Sequence, residues 1–253
     1  MIHLKSDAEI EQIARAGAIL AELYRRLPHE VRPGCSTQEL DRFAEGFIRD
    51  HQGAEPAFKG LYGFPATLCT SVNDEVVHGI PSARRRLKEG DLVSVDCGVK
   101  LNGFYADAAI TVGVGEVSAQ AHHLLEVTQR ALAAGIDRGR RGNRLGDIGA
   151  AVQEIGEAAG YGIVRDLVGH GVGRQPHEEP QVPNYGKRGR GMKLEAGLVL
   201  AIEPMFNAGT ASVRTLADRW TVVTADRGLS AHFEHTVAVT PAGPRILTLP
   251  AAS

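Results

Sequence analysis

Leu87-Lys88-Glu89-Gly90-Asp91-Leu92-Val93-Ser94-Val95-Asp96 decides the fold, because the chain says it again as Leu194-Glu195-Ala196-Gly197-Leu198-Val199-Leu200-Ala201-Ile202-Glu203. Each copy reads as a turn with a glycine, a short apolar strand, and then a carboxylate at one fixed offset from the glycine. The two copies lie 107 residues apart. An acid that ends an apolar strand sits close to the core, which is costly unless a cation compensates it. Two such strands point to a duplicated scaffold whose halves each deliver an anion to one site.

Working outward, the flanking segments repeat as well. Residues 7–28 read as an amphipathic helix with Ile10, Ile13, Ala14, Gly17, Leu20 and Tyr24 at helical spacing. Ser6 is its expected N-cap, with Glu9 completing a capping box. Pro33-Gly34 breaks the chain, and Ser36 with Glu39 opens a second helix to about residue 52. Strands are expected over 66–72, 92–99 and 104–114, with Asn102-Gly103 as a hairpin turn between the last two. The order then recurs: a helix from Ser118 to about Ile136, another opened by Gly142-Asn143 to about Ala159, and a strand over 163–168 that leads into a glycine-rich loop. After a Pro/Gly/Lys/Arg-rich excursion over 180–193 come strands over 199–206, 219–224 and 233–239. No linker or composition break separates the copies, so the expectation is one α+β domain over 1–253 with two pseudo-symmetric halves, roughly 1–115 and 116–253.

Bulk properties exclude several classes. A chain of 253 residues, 43% hydrophobic and 23% charged, is long enough and apolar enough to bury a proper core. A net charge of −2 gives no signature of binding to DNA or to an acidic membrane surface. Cys35, Cys69 and Cys97 are an odd, scattered set that argues for a reducing compartment rather than a disulfide framework. No stretch approaches the roughly 18 apolar residues of a membrane span. The expectation is a cytoplasmic protein.

The chemistry concentrates in the carboxylates. If Asn102-Gly103 is a two-residue turn, Gly98 faces Asp107 and Ala109 faces Asp96, so the two aspartates share a face with Cβ atoms roughly 7 Å apart. Two carboxylates that close beside apolar strands would repel unless a cation sat between them, and two metal ions roughly 3.5–4 Å apart would fit. Glu203 and Glu234, each within an apolar strand context, are the matching acids of the second half. Between those strands lies Gly169-His170-Gly171-Val172-Gly173, followed by His177-Glu178-Glu179-Pro180. The glycines lack the lysine or helix start of a phosphate loop and read better as tight backbone around His170. One imidazole with four carboxylates is an oxygen-rich set that suits Mn, Fe, Co, Zn or Mg.

Taken together, Asn73-Asp74-Glu75-Val76-Val77-His78-Gly79-Ile80-Pro81, the Asp96 and Asp107 pair, the His170 to Pro180 segment, Ile202-Glu203-Pro204-Met205 and Phe233-Glu234-His235-Thr236 resemble type I methionine aminopeptidase, in its short bacterial form. The resemblance spans essentially the whole chain. It implies the pita-bread fold, and it implies removal of the initiator methionine from nascent proteins whose second residue is small. It implies that Asp96, Asp107, His170, Glu203 and Glu234 hold two divalent ions (Co, Mn, Fe, Zn or Ni) that acidify a water. His78 and His177 would contact substrate and stabilise the oxyanion, and Glu203 would also carry the proton to the leaving amine. By position, Phe58, Leu61, Phe64, Cys69 and Trp220 are the expected methionine pocket. Leu61 and Pro176 depart from the aromatics common at those positions. The run Arg84-Arg85-Arg86-Leu87-Lys88 is ordinarily a solvated face; in this family it could dock the ribosome near the peptide exit. A monomer is expected.

Two rivals follow from the same fold. One is a peptidase that cleaves before proline, a type that usually carries a large extra N-terminal domain. The other is a pita-bread protein that has lost its metal and binds other proteins, against which stands the fact that all five ligand positions are filled.

Overall fold

The structure is a computed structural model and describes residues 2–249. Four helices carry the outer layer: α1 (Asp7–Arg26), α2 (Thr37–Arg49), α3 (Ala119–Arg138) and α4 (Leu145–Ala158). Capping boxes at Ser6/Glu9 and Ser36/Glu39 start the first two, and Ser118 accepts from Ala121 N–H at the start of α3. The first helix ends two residues short of the expected 28, because Pro28 has no N–H to continue the ladder; one tighter turn, Leu27–His29, follows instead.

The strands of the first half are β1 (Ala54–Pro56), β2 (Leu68–Val72), β3 (Glu75–Val77), β4 (Leu92–Leu101) and β5 (Phe104–Gly113). Those of the second half are β6 (Gly162–Ile163), β7 (Gly169–Gly171), β8 (Glu178–Val182), β9 (Val199–Ile202), β10 (Met205–Asn207), β11 (Val213–Thr215), β12 (Val222–Thr224), β13 (Ser230–His232), β14 (Glu234–Thr240) and β15 (Gly243–Ile246). A nine-stranded sheet runs β1-β4-β5-β14-β9-β7-β8, with β2 added on β4 and β15 on β14. Two three-stranded sheets, β13-β10-β6 and β11-β12-β3, lie beside it.

Register positions the site. Asn102 and Gly103 both have positive φ, 52° and 79°, as a two-residue hairpin turn requires. The turn pairs Gly98 with Asp107 and Asp96 with Ala109, as expected from the sequence. The two halves meet where β5 pairs β14, which sets Glu234 opposite Ala109. On the other side of β14, His235 pairs Ile202, so Glu203 follows immediately beside Glu234. The alternate residues of β4, among them Val93, Val95 and Cys97, turn to the opposite face and pack with Ile13, Leu20, Leu40 and Ile48 of α1 and α2. Leu124, Val127 and Ile148 of α3 and α4 do the same for Leu200, Ile202 and Val237. Fully burying each such side chain contributes roughly 1.5–3 kcal/mol, which holds the sheet rigid beneath the acids.

Four expectations for the second half change. The strand expected over 163–168 is only Gly162–Ile163; the following residues leave the ladder, and Leu167 and Val168 line a cavity instead. Their apolar character serves a pocket wall rather than a sheet. The glycine-rich loop is partly strand β7, and the excursion expected to begin at 180 begins as strand β8. The run over 199–206 is interrupted after Ile202 by Glu203-Pro204, since proline cannot donate to a ladder.

Candidate metal centre and substrate cavity

Asp96, Ala109 and Glu234 form one row across three strands, and Asp107 lies diagonal to Asp96 on the same face. Gly98 and Ala109, the residues paired with the two aspartates, are both small, and at Gly98 the room a side chain would take is filled by neighbours. A Cβ at Gly98 would lie 2.8 Å from Ala57 and from Phe58, so glycine is required there. Asp107 is fixed through its backbone: its N–H donates to Thr236 Oγ1 at 2.9 Å, and its carbonyl accepts from the same hydroxyl at 2.7 Å. Glu203 closes the set, and its carbonyl accepts from Asn184 Nδ2 at 3.0 Å.

Burial pushes the pKa of Asp96 up, and that of Asp107, Glu203 and Glu234 well up, with the neighbouring carboxylates adding to the rise in the last three. Asp96 Oδ1, Asp107 Oδ1 and Glu234 Oε1 are buried without any hydrogen-bond partner among the described residues. Orphaned carboxylate oxygens at that density call for a cation.

His170 answers from β7. Its Nδ1 lies 2.9 Å from Gly171 O, so Nδ1–H donates to that carbonyl and the Nε2 lone pair faces the acids. Nε2 is 3.6 Å from Glu203 Oε1 and 3.8 Å from Asp107 Oδ2. Burial, and then His177, lower its pKa to about 4, so the ring is neutral and able to ligate. Three groups offer one ligand atom each within 4.8 Å of one another: Asp96 with Asp107 and Glu234, His170 with Glu203 and Glu234, and Asp107 with His170 and His177. The residues present therefore fit hard divalent ions.

All twelve site residues expected from the sequence line one cavity of about 280 Å³. Of the two flanking histidines, His78 is half-buried and His177 exposed. His78 adopts φ 59°, a conformation that costs a non-glycine residue on the order of 1–3 kcal/mol. His177 packs edge-on to His170 with ring centres 4.5 Å apart. Burial lowers the pKa of both flanking histidines, with His177 adding to the effect at His78, so neutral N–H donors face the cavity. Phe58, Phe64 and Cys69 are buried in the apolar wall, with Leu61 and Trp220 packed against them. Phe64 meets Trp220 edge to face at 5.1 Å. Asp218 holds that tryptophan, accepting from the backbone N–H groups of Trp220 and Thr221 at 2.9 Å each.

The cavity also contains residues that the sequence reading did not select: Tyr62, Val77, Leu167, Val168, Met205 and His232. Tyr62 stacks on His177 at 5.9 Å, supplying an aromatic one residue after the departure at Leu61. His232 lies two residues before Glu234, a spacing that would have placed both on one face had the chain not passed from β13 to β14 between them.

A sheet whose two repeated halves converge on five metal-ligand candidates defines a class of protein, and the comparison agrees: the model of metallopeptidase family M24 matches residues 11–241, and the chain belongs to that family. Its high-identity relatives are methionine aminopeptidases. It is 57% identical to the methionine aminopeptidase of Clostridium perfringens over 98% of this chain and 99% of the relative. It is 49% identical to methionine aminopeptidase 1 of Bacillus subtilis over 98% and 99% of the two chains. The crystal structure of a methionine aminopeptidase from Thermotoga maritima superposes with a TM-score of 0.96 at 42% identity, covering 98% of this chain and 100% of that one. The pita-bread architecture expected from the resemblance is thus the observed one. A prolidase from Pyrococcus furiosus shares it with a TM-score of 0.78 and 25% identity, but only 66% of that chain is covered.

Proposed function

We propose that the chain removes an N-terminal methionine from peptides and nascent proteins whose second residue is small, by metal-assisted hydrolysis in one catalytic domain. The observation that carries the reading is the shared cavity: four carboxylates, two of them buried, with His170, and an unbranched apolar recess beside them walled by Phe58, Phe64, Cys69 and Trp220. Asp107, His170 and Glu234 each belong to two of the three candidate ligand groups, and this overlap supports more than one ion held among the same residues. The ions, when bound, supply Lewis acidity and a water that ionises near neutral pH. Around them the chain's own groups divide the work. The recess takes the methionine side chain. The neutral flanking histidines, His78 and His177, offer N–H donors to the developing oxyanion, and Glu203 moves the proton to the leaving amine.

Incubation with Met-Ala-Ser and with X-Pro peptides, in Co or Mn with and without chelator, tests the reading. Methionine release that chelator abolishes is expected. X-Pro cleavage in its place, or inactivity with every metal, would overturn it in favour of a proline peptidase or a binding protein.

The three cysteines are free and buried, which fits a reducing cytoplasm. Among the described residues no helix is long and apolar enough to cross a membrane. In the basic run, Arg85 approaches Glu75 at 3.6 Å and Arg86 approaches Glu39 at 3.8 Å, so Arg84 and Lys88 are the residues we assign to ribosome contact. Ribosome co-sedimentation unchanged in an R84E/K88E variant would remove that assignment.

A further inference from the structure

His232 is 1% exposed and sits inside the cavity. Its backbone is pinned on both sides by one hydroxyl: its N–H donates to Thr111 Oγ1 at 2.9 Å, and its carbonyl accepts from that oxygen at 2.7 Å. Pairing of Met205 with His232 anchors the same residue to β10. The backbone is held in place, yet neither Nδ1 nor Nε2 of the ring has a hydrogen-bond partner among the described residues. A buried imidazole with both nitrogens idle is costly, so the arrangement needs a use for at least one of them.

The candidate acceptor is Glu203, whose Oε2 lies 3.7 Å from His232 Nε2. The other carboxylate oxygen, Oε1, faces His170 Nε2 at 3.6 Å. The two oxygens of Glu203 are therefore addressed by different histidines. His170 belongs to the candidate ligand groups, whereas His232 belongs to none of them. A neutral imidazole carries a single N–H, and with no acceptor at Nδ1 among the described residues that N–H is free to sit on Nε2.

We infer that His232 is a positioning residue for Glu203: its Nε2–H donates to Oε2 of the ionised carboxylate and leaves Oε1 turned toward the metal side. The inference rests on Glu203 being a metal ligand and proton carrier. A carboxylate with both duties must present the same oxygen to the ion at every turnover, and an outer hydrogen bond is the usual means of fixing it.

Two substitutions separate a donor from a filler. The amide nitrogen of a glutamine reaches where Nε2 now lies, and that of an asparagine reaches only the Nδ1 position. Mn uptake by metal-free protein, followed by calorimetry, and steady-state kinetics on Met-Ala-Ser are measured for wild type, H232Q and H232N, with thermal melts to establish folding. H232N is expected to lose between about 10- and 100-fold in kcat or in Mn affinity, with KM within twofold. H232Q is expected to recover most of that loss. Wild-type behaviour in H232N, equal impairment of two folded variants, or a loss confined to KM would overturn the positioning role. Wild-type protein that takes up no Mn would instead overturn the ligand reading itself, and with it this inference.

Discussion

Glu203 is the residue on which most of the chemistry converges. It sits among like charges with its side chain only 12% exposed, and burial first and then Asp96 and Asp107 raise its pKa. Replacing its carboxylate by an amide keeps one ligand oxygen and removes the proton carrier. E203Q is therefore expected to lower kcat on Met-Ala-Ser by at least about 100-fold while some metal stays bound. Full turnover in E203Q, with metal content matched, would refute the assignment. On the opposite face of β14, His235 places Nδ1 2.9 Å from Thr248 Oγ1, and burial lowers its pKa from 6.5 to about 4. The unfolded chain thus takes up this proton before the folded one does. Its contribution to stability, on the order of 3 kcal/mol, is present above about pH 6.5 and disappears as the pH falls toward 4. Urea unfolding of the metal-free protein at pH 7 and pH 4.5 is expected to show a smaller loss in H235Q than in wild type; equal losses would count against it.

Among the elements, the segment ahead of α1 does more than lead into a helix. Lys5 N–H donates to Gly197 O at 2.8 Å, and Gly197 has φ +94°, where a Cβ would lie 2.7 Å from Lys5 O. The Lys5 ammonium reaches Glu178 Oε2 at 2.6 Å, with side chains only 5% and 11% exposed. Glu178 in turn accepts from Gln175 N–H at 3.1 Å, which closes the loop that presents His177. A buried ion pair with one partner removed leaves an uncompensated charge, so K5M should cost about 3 kcal/mol in urea unfolding. Because the pair braces His177, K5M should also lower kcat several-fold in the wild-type background. In an H177A background its effect on kcat should vanish while the stability loss remains. Additive losses in kcat would show that Lys5 does not act through His177.

For the molecule as a whole, the candidate metal ligands come from both halves: Asp96 and Asp107 from one hairpin, and, beyond the seam where β5 meets β14, His170 and Glu234 from strands and Glu203 from the break between β9 and β10. Ions bound there would tie the halves together and relieve the repulsion among buried acids, so binding and stability are linked. At free metal 100-fold above Kd the gain is about 2.7 kcal/mol, on the order of 5 to 10 °C in melting temperature for a chain of this size. Calorimetric melts before and after chelation check this; identical melting temperatures would argue against ligation at the seam.

What the sequence determined by itself was local or periodic. Asn102-Gly103 sets the turn, the turn sets the parity, and parity alone puts Asp96 and Asp107 on one face. Serine and glutamate at a spacing of three start α1 and α2 by short-range hydrogen bonds. The 107-residue repeat announces two halves because each copy must bury the same apolar strand. Tertiary structure decided what depends on contacts between distant segments. Pairing of β5 with β14 sets Glu234 beside Ala109, and the three-stranded sheets have no local pattern of their own. Leu167 and Val168 read as strand from their apolar character but serve as cavity wall, since hydrophobicity states that a residue is covered and not by what. Tyr62, Lys5 and His232 gain their roles only from partners far away in the chain: His177, Glu178 and Glu203.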